Sequence, residues 1–276
     1  MHRRRMLQTT AASLVAALGC GANPAQEQSA ERKSETSHAH PAGAAGVPES
    51  AKAEIQMLVY PRFTTLDLIG PQHVFSLLGP EYRVRLVWKD VNELVSDTGV
   101  PIRPTAAFRD CSETPAVLFV PGGTDGTLAA MEDKEVREFV ASRGAKAKYV
   151  TSVCTGAMVL GAAGLLNGYK ATTHWLALES LKKFGAEPVA ERVVVDRNRV
   201  TGAGVTAGID FALTLASKIK DEAYAKAIQL MMEYDPQPPF NSGNPRVADP
   251  ASVKLLEAMA APFLEGLNAA VGKLGR

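Results

Sequence analysis

The chain has 276 residues, of which 46% are hydrophobic and 21% charged, and its formal net charge at pH 7 is +1. This composition is that of a globular protein long enough for one large α/β domain or two small ones, and the balanced charge gives no indication of a nucleic-acid partner. The three cysteines, Cys20, Cys111 and Cys154, have no CxxC spacing, so we expect neither a disulfide framework nor a metal site.

The first 20 residues have the layout of an export signal. Three arginines precede a short apolar run, Leu14 to Leu18, and small residues follow it. Such a run is too short for a permanent membrane span. "HRRRML" resembles a twin-arginine signal, and "ALGC" resembles a lipoprotein cleavage box that makes Cys20 the lipidated residue, although Ala17 replaces the usual leucine. We therefore expect an exported protein, periplasmic or anchored to a membrane only through its lipidated N-terminus.

Residues 21–52 are rich in Ala, Ser, Glu, Pro and Gly and hold almost no large apolar side chains. Such a segment cannot bury enough surface to offset the entropy of ordering. It is predicted to be a disordered tether that holds a folded domain away from the membrane.

From Glu54 onward, apolar strands alternate with helices. The first half contains, in order, the strand "EIQMLVY", the helix "LDLIGPQHVFSLL", the strand "YRVRLVWK", two short extended pieces around Gly99, the strand "PAVLFVPGG" and the acidic helix "DKEVREFVASRGAK". The second half contains the strand "YVTSV", a helix from Ala157 to Leu166, the helix "LALESLKKFG", the stretch "ERVVVDRNRVTGAG", the helices "TAGIDFALTLASKI" and "AYAKAIQLMMEY", a Pro-rich loop and a last helix from about Ala251. This alternation predicts a mostly parallel sheet covered by helices on both faces.

Three unusual features fall at the carboxyl ends of predicted strands, where open α/β sheets bind their ligands. They are Asp67, the pair Gly122 and Gly123, and Cys154. Cys154 occupies a strand-to-helix turn, where helix N–H groups favour the thiolate, so its pKa is predicted to be lowered. The alternative for this cysteine is a small buried apolar residue.

The neighbouring residues each have two interpretations. The N–H groups of Gly122 and Gly123 either stabilise negative charge or only form a tight turn. Asp67 either transfers a proton or caps a helix. Thr155 either donates its hydroxyl and N–H toward the sulfur or substrate, or caps the following helix. His174 and Val205 are candidate neighbours of the site, with a structural role favoured for His174.

Five blocks, in order from Ile55 to Phe240, resemble the DJ-1/PfpI superfamily and, within it, the isonitrile hydratases. They are "LDLIGP", "VPGGTDG", "TSVCTGAMVLGAAGLLNGYKATTHW", "ERVVVDRNRVTGAGVTAGIDFALTLA" and "EYDPQPPFNSGNP". The resemblance implies a flavodoxin-like three-layer sandwich and a homodimer. Its nucleophile-elbow cysteine would be Cys154, with Asp67 as acid and base and Thr155 as a supporting hydroxyl. The catalytic domain would be residues 53–240, with the loop and helix of 241–276 packed on it.

The implied activity is cofactor-free hydration of a small-molecule isonitrile to an N-substituted formamide through a cysteine thioimidate. There are two departures from the hydratases: Ala203 stands where they tend to have glycine, which implies a slightly different backbone near the site, and the chain carries an export signal, which puts the substrate in doubt. Thr155 replaces the histidine of the peptidase members, which disfavours proteolysis. The same block occurs in AraC-type regulators, but too few residues follow Tyr234 for their helix-turn-helix module. The alternatives are glyoxalase or amide-hydrolase chemistry on Cys154, or a non-catalytic exported thiol-sensing or binding module.

Overall fold

A computed structural model describes residues 52–274. The predicted export signal with its Cys20, and the predicted tether up to residue 51, lie outside the described residues. Within residues 52–274, no helix combines the length and the apolar character needed to cross a bilayer.

The described residues contain eleven strands, most of them short. They are β1 Ala53–Leu58, β2 Tyr82–Trp88, β3 Leu94–Val95, β4 Pro101–Ile102, β5 Ala106–Ala107, β6 Val117–Val120, β7 Tyr149–Val153, β8 Lys170–Ala171, β9 Glu187–Pro188, β10 Val193–Asp196 and β11 Arg199–Gly202. Seven of them form one sheet in the order β10-β11-β7-β6-β1-β2-β5. All neighbours in it are parallel except β10 and β11, which are joined as a hairpin. The pairs β3–β4 and β8–β9 are separate ribbons.

Seven α-helices and one long 3₁₀ helix surround this sheet in the described part of the chain. They are α1 Thr65–Ser76, α2 Thr124–Glu132, α3 Lys134–Lys146, α4 Gly156–Ala162, the 3₁₀ helix Trp175–Phe184, α5 Ala207–Ile219, α6 Glu222–Met231 and α7 Pro250–Leu274. Helices α1, α5 and α6 pack together as one layer, and α2, α3, α4, α7 and the 3₁₀ helix form the other. The central strand β6 is buried along its whole length, as expected for a strand covered on both faces.

The predicted sheet and its helical layers are confirmed, with three local differences. Helix α2 was not predicted, because its short sequence contains a glycine and no clear apolar stripe. Helix α4 ends at Ala162 instead of Leu166. Two residues after its end, Gly164 has a φ of +76°, a left-handed conformation that is typical after a helix. The helix predicted from "LALESLKKFG" is a 3₁₀ helix that begins one residue earlier, at Trp175.

An aromatic cluster fixes the first helix over the centre of the sheet. Phe75 of α1 makes edge-to-face contacts with Phe119 of β6, at 6.4 Å between ring centroids, and with Phe211 of α5, at 6.1 Å. All three rings are essentially inaccessible to solvent, and such contacts add to the stabilisation from burial. The cluster therefore sets where the N-terminal turn of α1 lies relative to the end of β6.

Candidate active site

The carboxyl ends of four neighbouring strands bring the predicted site residues together. Asp67, in the first turn of α1, accepts a hydrogen bond from the N–H of Gly122, which follows β6, at 2.8 Å to Oδ2. The N–H of Cys154, after β7, donates to the carbonyl oxygens of Gly202 at 3.1 Å and Ala203 at 2.7 Å, after β11. The segments that follow β1, β6 and β11 are distant in sequence and thus meet around the thiol that follows β7.

Cys154 lies on a strained turn between β7 and α4. Its φ is +54°, in the left-handed region that non-glycine residues occupy rarely and mostly where surrounding structure enforces it. Thr173 Oγ1 donates to the Cys154 carbonyl at 2.7 Å and helps to hold this turn. A Cβ atom at Gly156 would overlap the carbonyl oxygen of Val120, so a glycine is required where the elbow passes the end of β6. The geometry is that of a nucleophile elbow.

The pKa of Cys154 differs from the sequence-based expectation. Burial is the largest cause that raises it, and the negative charge of Asp67 raises it further, so that it lies well above its usual value. Hydrogen bonds from the N–H groups of Thr155 and Val205 act in the opposite direction. The predicted lowering is therefore wrong for the resting state, because only 6% of the residue is exposed and a carboxyl group lies beside it.

Asp67 is fully buried and has an unusual pKa. Burial raises the pKa to about 7, while hydrogen bonds with the Gly122 N–H and the Cys154 thiol lower it and the charge of Asp97 raises it. The Oδ1 oxygen of Asp67 has no hydrogen bond of ordinary geometry in the described part of the chain. A carboxyl group with this pKa accepts and releases protons readily at neutral pH. Asp67 is not a helix cap, because its other oxygen binds Gly122 and the cap residue is Thr64.

The two glycines after β6 do not offer free donors for a developing anion. The N–H of Gly122 donates to Asp67, and the N–H of Gly123 donates to Thr155 Oγ1 at 3.0 Å. A Cβ atom at Gly122 would lie 2.7 Å from Asp67 Oδ2 and 2.7 Å from the Thr155 nitrogen. The expected role of these N–H groups as charge-stabilising donors is thus corrected: they hold the carboxyl group and the hydroxyl in place. The N–H groups directed at the sulfur belong to Thr155 and Val205.

The hydroxyl of Thr155 belongs to a buried chain of hydrogen bonds with a defined direction. Tyr60 Oη donates its only proton to the carbonyl oxygen of Pro121 at 2.6 Å. The hydroxyl of Thr127, 3.3 Å from Tyr60 Oη, must therefore donate to it, and Thr155 must donate to Thr127 across 2.8 Å. The Thr155 hydroxyl proton is directed away from the sulfur, and its side chain makes no helix-capping bond. Neither predicted role of this hydroxyl is seen.

No sequence pattern indicates Tyr60 or Thr127 as residues of the site. Tyr60 ends the "EIQMLVY" strand segment and Thr127 lies in the helix that was not predicted. Both are at most 1% exposed, so in sequence they look like ordinary core residues. The one available signal was the hydroxyl group of Tyr60, because this residue ends a predicted strand and the predicted ligand site lies at such strand ends.

His174 lies at the edge of the site. Its Nδ1 accepts the N–H of Leu176 at 3.4 Å, and burial lowers its pKa, so the ring is neutral and carries its proton on Nε2. The ring packs on Gly204, where a Cβ atom would lie 3.2 Å from Cδ2. Val205, whose N–H contacts the sulfur, is the next residue. Among the described residues, no cluster of three or more His, Cys, Asp or Glu side chains is arranged to bind a metal ion.

The sheet and the cysteine elbow define a class of protein, and sequence comparison agrees with it. Residues 53–218 match the DJ-1/PfpI family. The chain belongs to the DJ-1/PfpI family, which confirms the family resemblance and the flavodoxin-like fold. A THiJ/PfpI family protein from Pseudomonas syringae has a similar crystal structure, with a TM-score of 0.79 and 46% identity, over 84% of this chain and 99% of that one.

Two curated relatives differ in what they are named for. Isonitrile hydratase from Pseudomonas putida is 49% identical over 212 residues, which cover 77% of this chain and 92% of the relative. The HTH-type transcriptional regulator GbdR from Pseudomonas aeruginosa is 28% identical over 201 residues, which cover 70% of this chain but only 54% of the regulator. The chain is thus isonitrile hydratase-like in sequence.

Proposed function

We propose that the protein is an isonitrile hydratase that converts an isonitrile and water into an N-substituted formamide. The observation that carries the proposal is the buried pair of Cys154 and Asp67, in which a carboxyl group with a pKa of about 7 interacts with the thiol. This pair can move one proton between a nucleophile and a substrate. The similarity to a relative named isonitrile hydratase supports the choice of substrate.

In the first step, the sulfur of Cys154 attacks the terminal carbon of R–N≡C. Asp67 takes the thiol proton and delivers it to the same carbon, so that one S–H bond is exchanged for one C–S and one C–H bond. The product is the thioimidate Cys–S–CH=N–R. The N–H groups of Thr155 and Val205 stabilise the negative charge that develops on the sulfur as the proton leaves.

In the second step, water adds to the thioimidate carbon. Asp67 accepts a proton from the water and passes it to the nitrogen, which gives Cys–S–CH(OH)–NH–R. The C–S bond then breaks, the hydroxyl proton returns to the sulfur through Asp67, and HC(O)–NH–R is released. The atoms balance with no co-reactant other than water, which is the basis for proposing a cofactor-free reaction.

The test is formamide formation from cyclohexyl isonitrile by the purified full chain, followed by proton NMR. The proposal expects formamide and the slow accumulation of a Cys154 adduct, visible by mass spectrometry after acid quenching. A panel that includes methylglyoxal addresses the main alternative. Absence of turnover on every isonitrile, together with consumption of the 2-oxoaldehyde, would replace the hydratase by a glyoxalase.

Export and attachment through Cys20 are also proposed, on the basis of the basic, apolar and small-residue order of the first 20 residues. Fractionation of cells that produce the wild type and Cys20→Ala checks this proposal. The wild type is expected in the membrane fraction and the variant in a soluble exported fraction. Wild-type protein found in the cytosol with an intact N-terminus would contradict it.

A homodimer is proposed from the family resemblance. Exposed apolar side chains, including Leu66 and Ile69 on α1 and Leu255, Leu256 and Met259 on α7, offer surface for a second copy. Light scattering coupled to size exclusion measures the mass directly.

A further inference from the structure

A surface cavity of about 340 Å³ adjoins the site on the side of β11. Four segments form its walls: the 3₁₀ helix and the residues before it, residues 190–192 before β10, the loop between β11 and α5, and a loop at 243–246. Its apolar lining is provided by Trp175, Leu178, Ala190, Val205 and Pro245.

The cavity is next to the thiol, and two of its lining residues contact Cys154. Val205 lines the cavity, and its N–H is directed at the sulfur. Thr173 lines it as well and donates to the Cys154 carbonyl at 2.7 Å. Because Val205 lines the cavity and also contacts the sulfur, the substituent of an isonitrile whose carbon is bound at the thiol can extend into the cavity.

Both arginines around the cavity have hydrogen-bond partners within the protein, and one of them is paired with a carboxylate. Arg192 pairs with Asp210 at 2.6 Å. The guanidinium of Arg246 donates to the carbonyl oxygen of Ala190 at 3.1 Å, which joins the 243–246 loop to residues 190–192. Glu191, on the rim, is exposed to solvent. What remains for a ligand is chiefly the apolar lining with the imidazole edge of His174 beside it, a surface that suits an uncharged substituent.

We infer that this cavity is the binding subsite for the organic substituent of the isonitrile, and that it favours uncharged cyclic or aromatic groups larger than a single ring. The inference rests on the proposed hydratase function. An apolar cavity of about 150 Å³ holds one benzene molecule, so a cavity of about 340 Å³ has room for a fused two-ring group. Leu178 and Ala190 both line the cavity, so larger side chains at these positions should reduce its volume.

The experiment compares 2-naphthyl isonitrile with methyl isonitrile on the full chain. Leu178→Trp should fill the cavity and lower kcat/KM for the naphthyl compound by about tenfold or more, with less than about a twofold change for the methyl compound. Glu179→Trp is the matched control, because Glu179 is the next residue on the same 3₁₀ helix and is exposed. Ala190→Leu, at an exposed position, repeats the test should Leu178→Trp fail to fold. Equal losses for both substrates, or no loss in a folded variant, would overturn the inference.

A second measurement separates this inference from the proposed function. Alkylation of Cys154 by N-naphthyl and N-methyl iodoacetamide, measured by peptide mass spectrometry, needs no hydratase activity. The subsite predicts that the naphthyl reagent reacts at least as fast as the methyl reagent in the wild type, and that Leu178→Trp slows only the naphthyl reagent. Loss of isonitrile turnover with this selectivity retained would reject the hydratase and keep the subsite, whereas no selectivity would reject the subsite.

Discussion

Two buried cysteines in this chain have similar surroundings at first sight and different capacities for chemistry. Cys111 donates its thiol to the carbonyl oxygen of Ala107 at 3.2 Å, and burial raises its pKa to about 11, with a further contribution from Glu54. Cys154 is also buried, and its pKa is also raised by burial and by a carboxyl group. Burial alone therefore does not distinguish them.

The difference lies in the carboxyl group beside each thiol. Burial raises the pKa of Glu54, but hydrogen bonds from Gln56, the Ser112 N–H and Arg83 outweigh it, so the net pKa is lowered. Among the described residues, one N–H group donates to Asp67 besides the thiol, and the pKa of Asp67 is about 7. Glu54 is a poor base because hydrogen bonds and arginines stabilise its negative charge. The negative charge of Asp67 is less well stabilised, so Asp67 is the better base. A buried thiol becomes a useful nucleophile when an under-stabilised carboxylate is next to it.

The largest difference between the two regions is expected when each thiol is removed in turn. Cys154→Ala should abolish formamide production, because no covalent route remains. Cys111→Ala, the matched control, should keep turnover within about twofold, since it removes a sulfur that takes no part in the proposed reaction and costs only packing energy. NMR assays of both variants, with their fold checked by circular dichroism, make the comparison. Wild-type turnover in Cys154→Ala would end the covalent mechanism.

The next largest difference is expected when each of the two carboxyl groups is neutralised in turn. Asp67→Asn should reduce kcat at least about 100-fold, because a positioned acid and base contributes typically that much. Since both residues serve the same step, the double variant with Cys154→Ala should be little worse than Cys154→Ala alone. Glu54→Gln should leave the rate per folded molecule nearly unchanged. Similar losses in the two carboxyl variants would erase the distinction between the two regions.

Stability should change in opposite directions in the same two variants. The folded-state pKa of Asp67 is raised from 3.8 to about 7, so the folded protein binds the extra proton between these values and loses stability as pH rises through them. At pH 8 the full penalty is present, and Asp67→Asn should stabilise the protein by at most about 4 kcal/mol. The pKa of Glu54 is lowered, so Glu54 stabilises the fold above its unfolded pKa, and Glu54→Gln should destabilise it at pH 8. Urea unfolding of both variants at pH 8 tests the signs, and a stability gain in Glu54→Gln or a loss in Asp67→Asn would contradict them.

The smallest effect is expected from the hydroxyl chain behind Thr155. Tyr60→Phe removes the hydroxyl that accepts the Thr127 proton, which frees both threonine hydroxyls to reorient. We expect kcat to fall several-fold with KM nearly unchanged. Tyr224→Phe is the control, because it also removes a tyrosine hydroxyl bonded to a backbone carbonyl, that of Leu77, at 2.9 Å. Steady-state kinetics separates the two, and equal kcat values would show that the chain has no influence on the site.

Much of the fold could be predicted because its signals are local. The apolar segments "EIQMLVY" and "PAVLFV" coincide closely with β1 and β6, and the order of strands and helices follows from their alternation. The 3₁₀ helix at Trp175–Phe184 could not be distinguished from an α-helix, because the difference is one of hydrogen-bond partners and not of apolar spacing. Helix α2 depends on contacts with α7 and α4, which no local pattern reveals.

The candidate site could be predicted from the sequence only in part. The ends of predicted strands indicated Asp67, Gly122 and Cys154, because parallel strands end at one edge of the sheet. The hydrogen-bond partner of each N–H group could not be predicted from the sequence, since the bond from Gly122 to Asp67 joins residues 55 positions apart. The sign of the Cys154 pKa shift also depends on burial by distant segments, which outweighs the local effect of the helix N-terminus.

The central claim is that Cys154 has its own base and Cys111 has none. It is tested by measuring iodoacetamide labelling of both cysteines in one sample of folded protein, by peptide mass spectrometry, between pH 5.5 and 9.5. The Cys154 rate should rise about tenfold per pH unit below the Asp67 pKa of about 7 and level off above it. This inflection should vanish in Asp67→Asn, while the Cys111 rate rises without inflection across the range, as its pKa of about 11 requires. Identical pH dependence of the two cysteines in the wild type would contradict the claim.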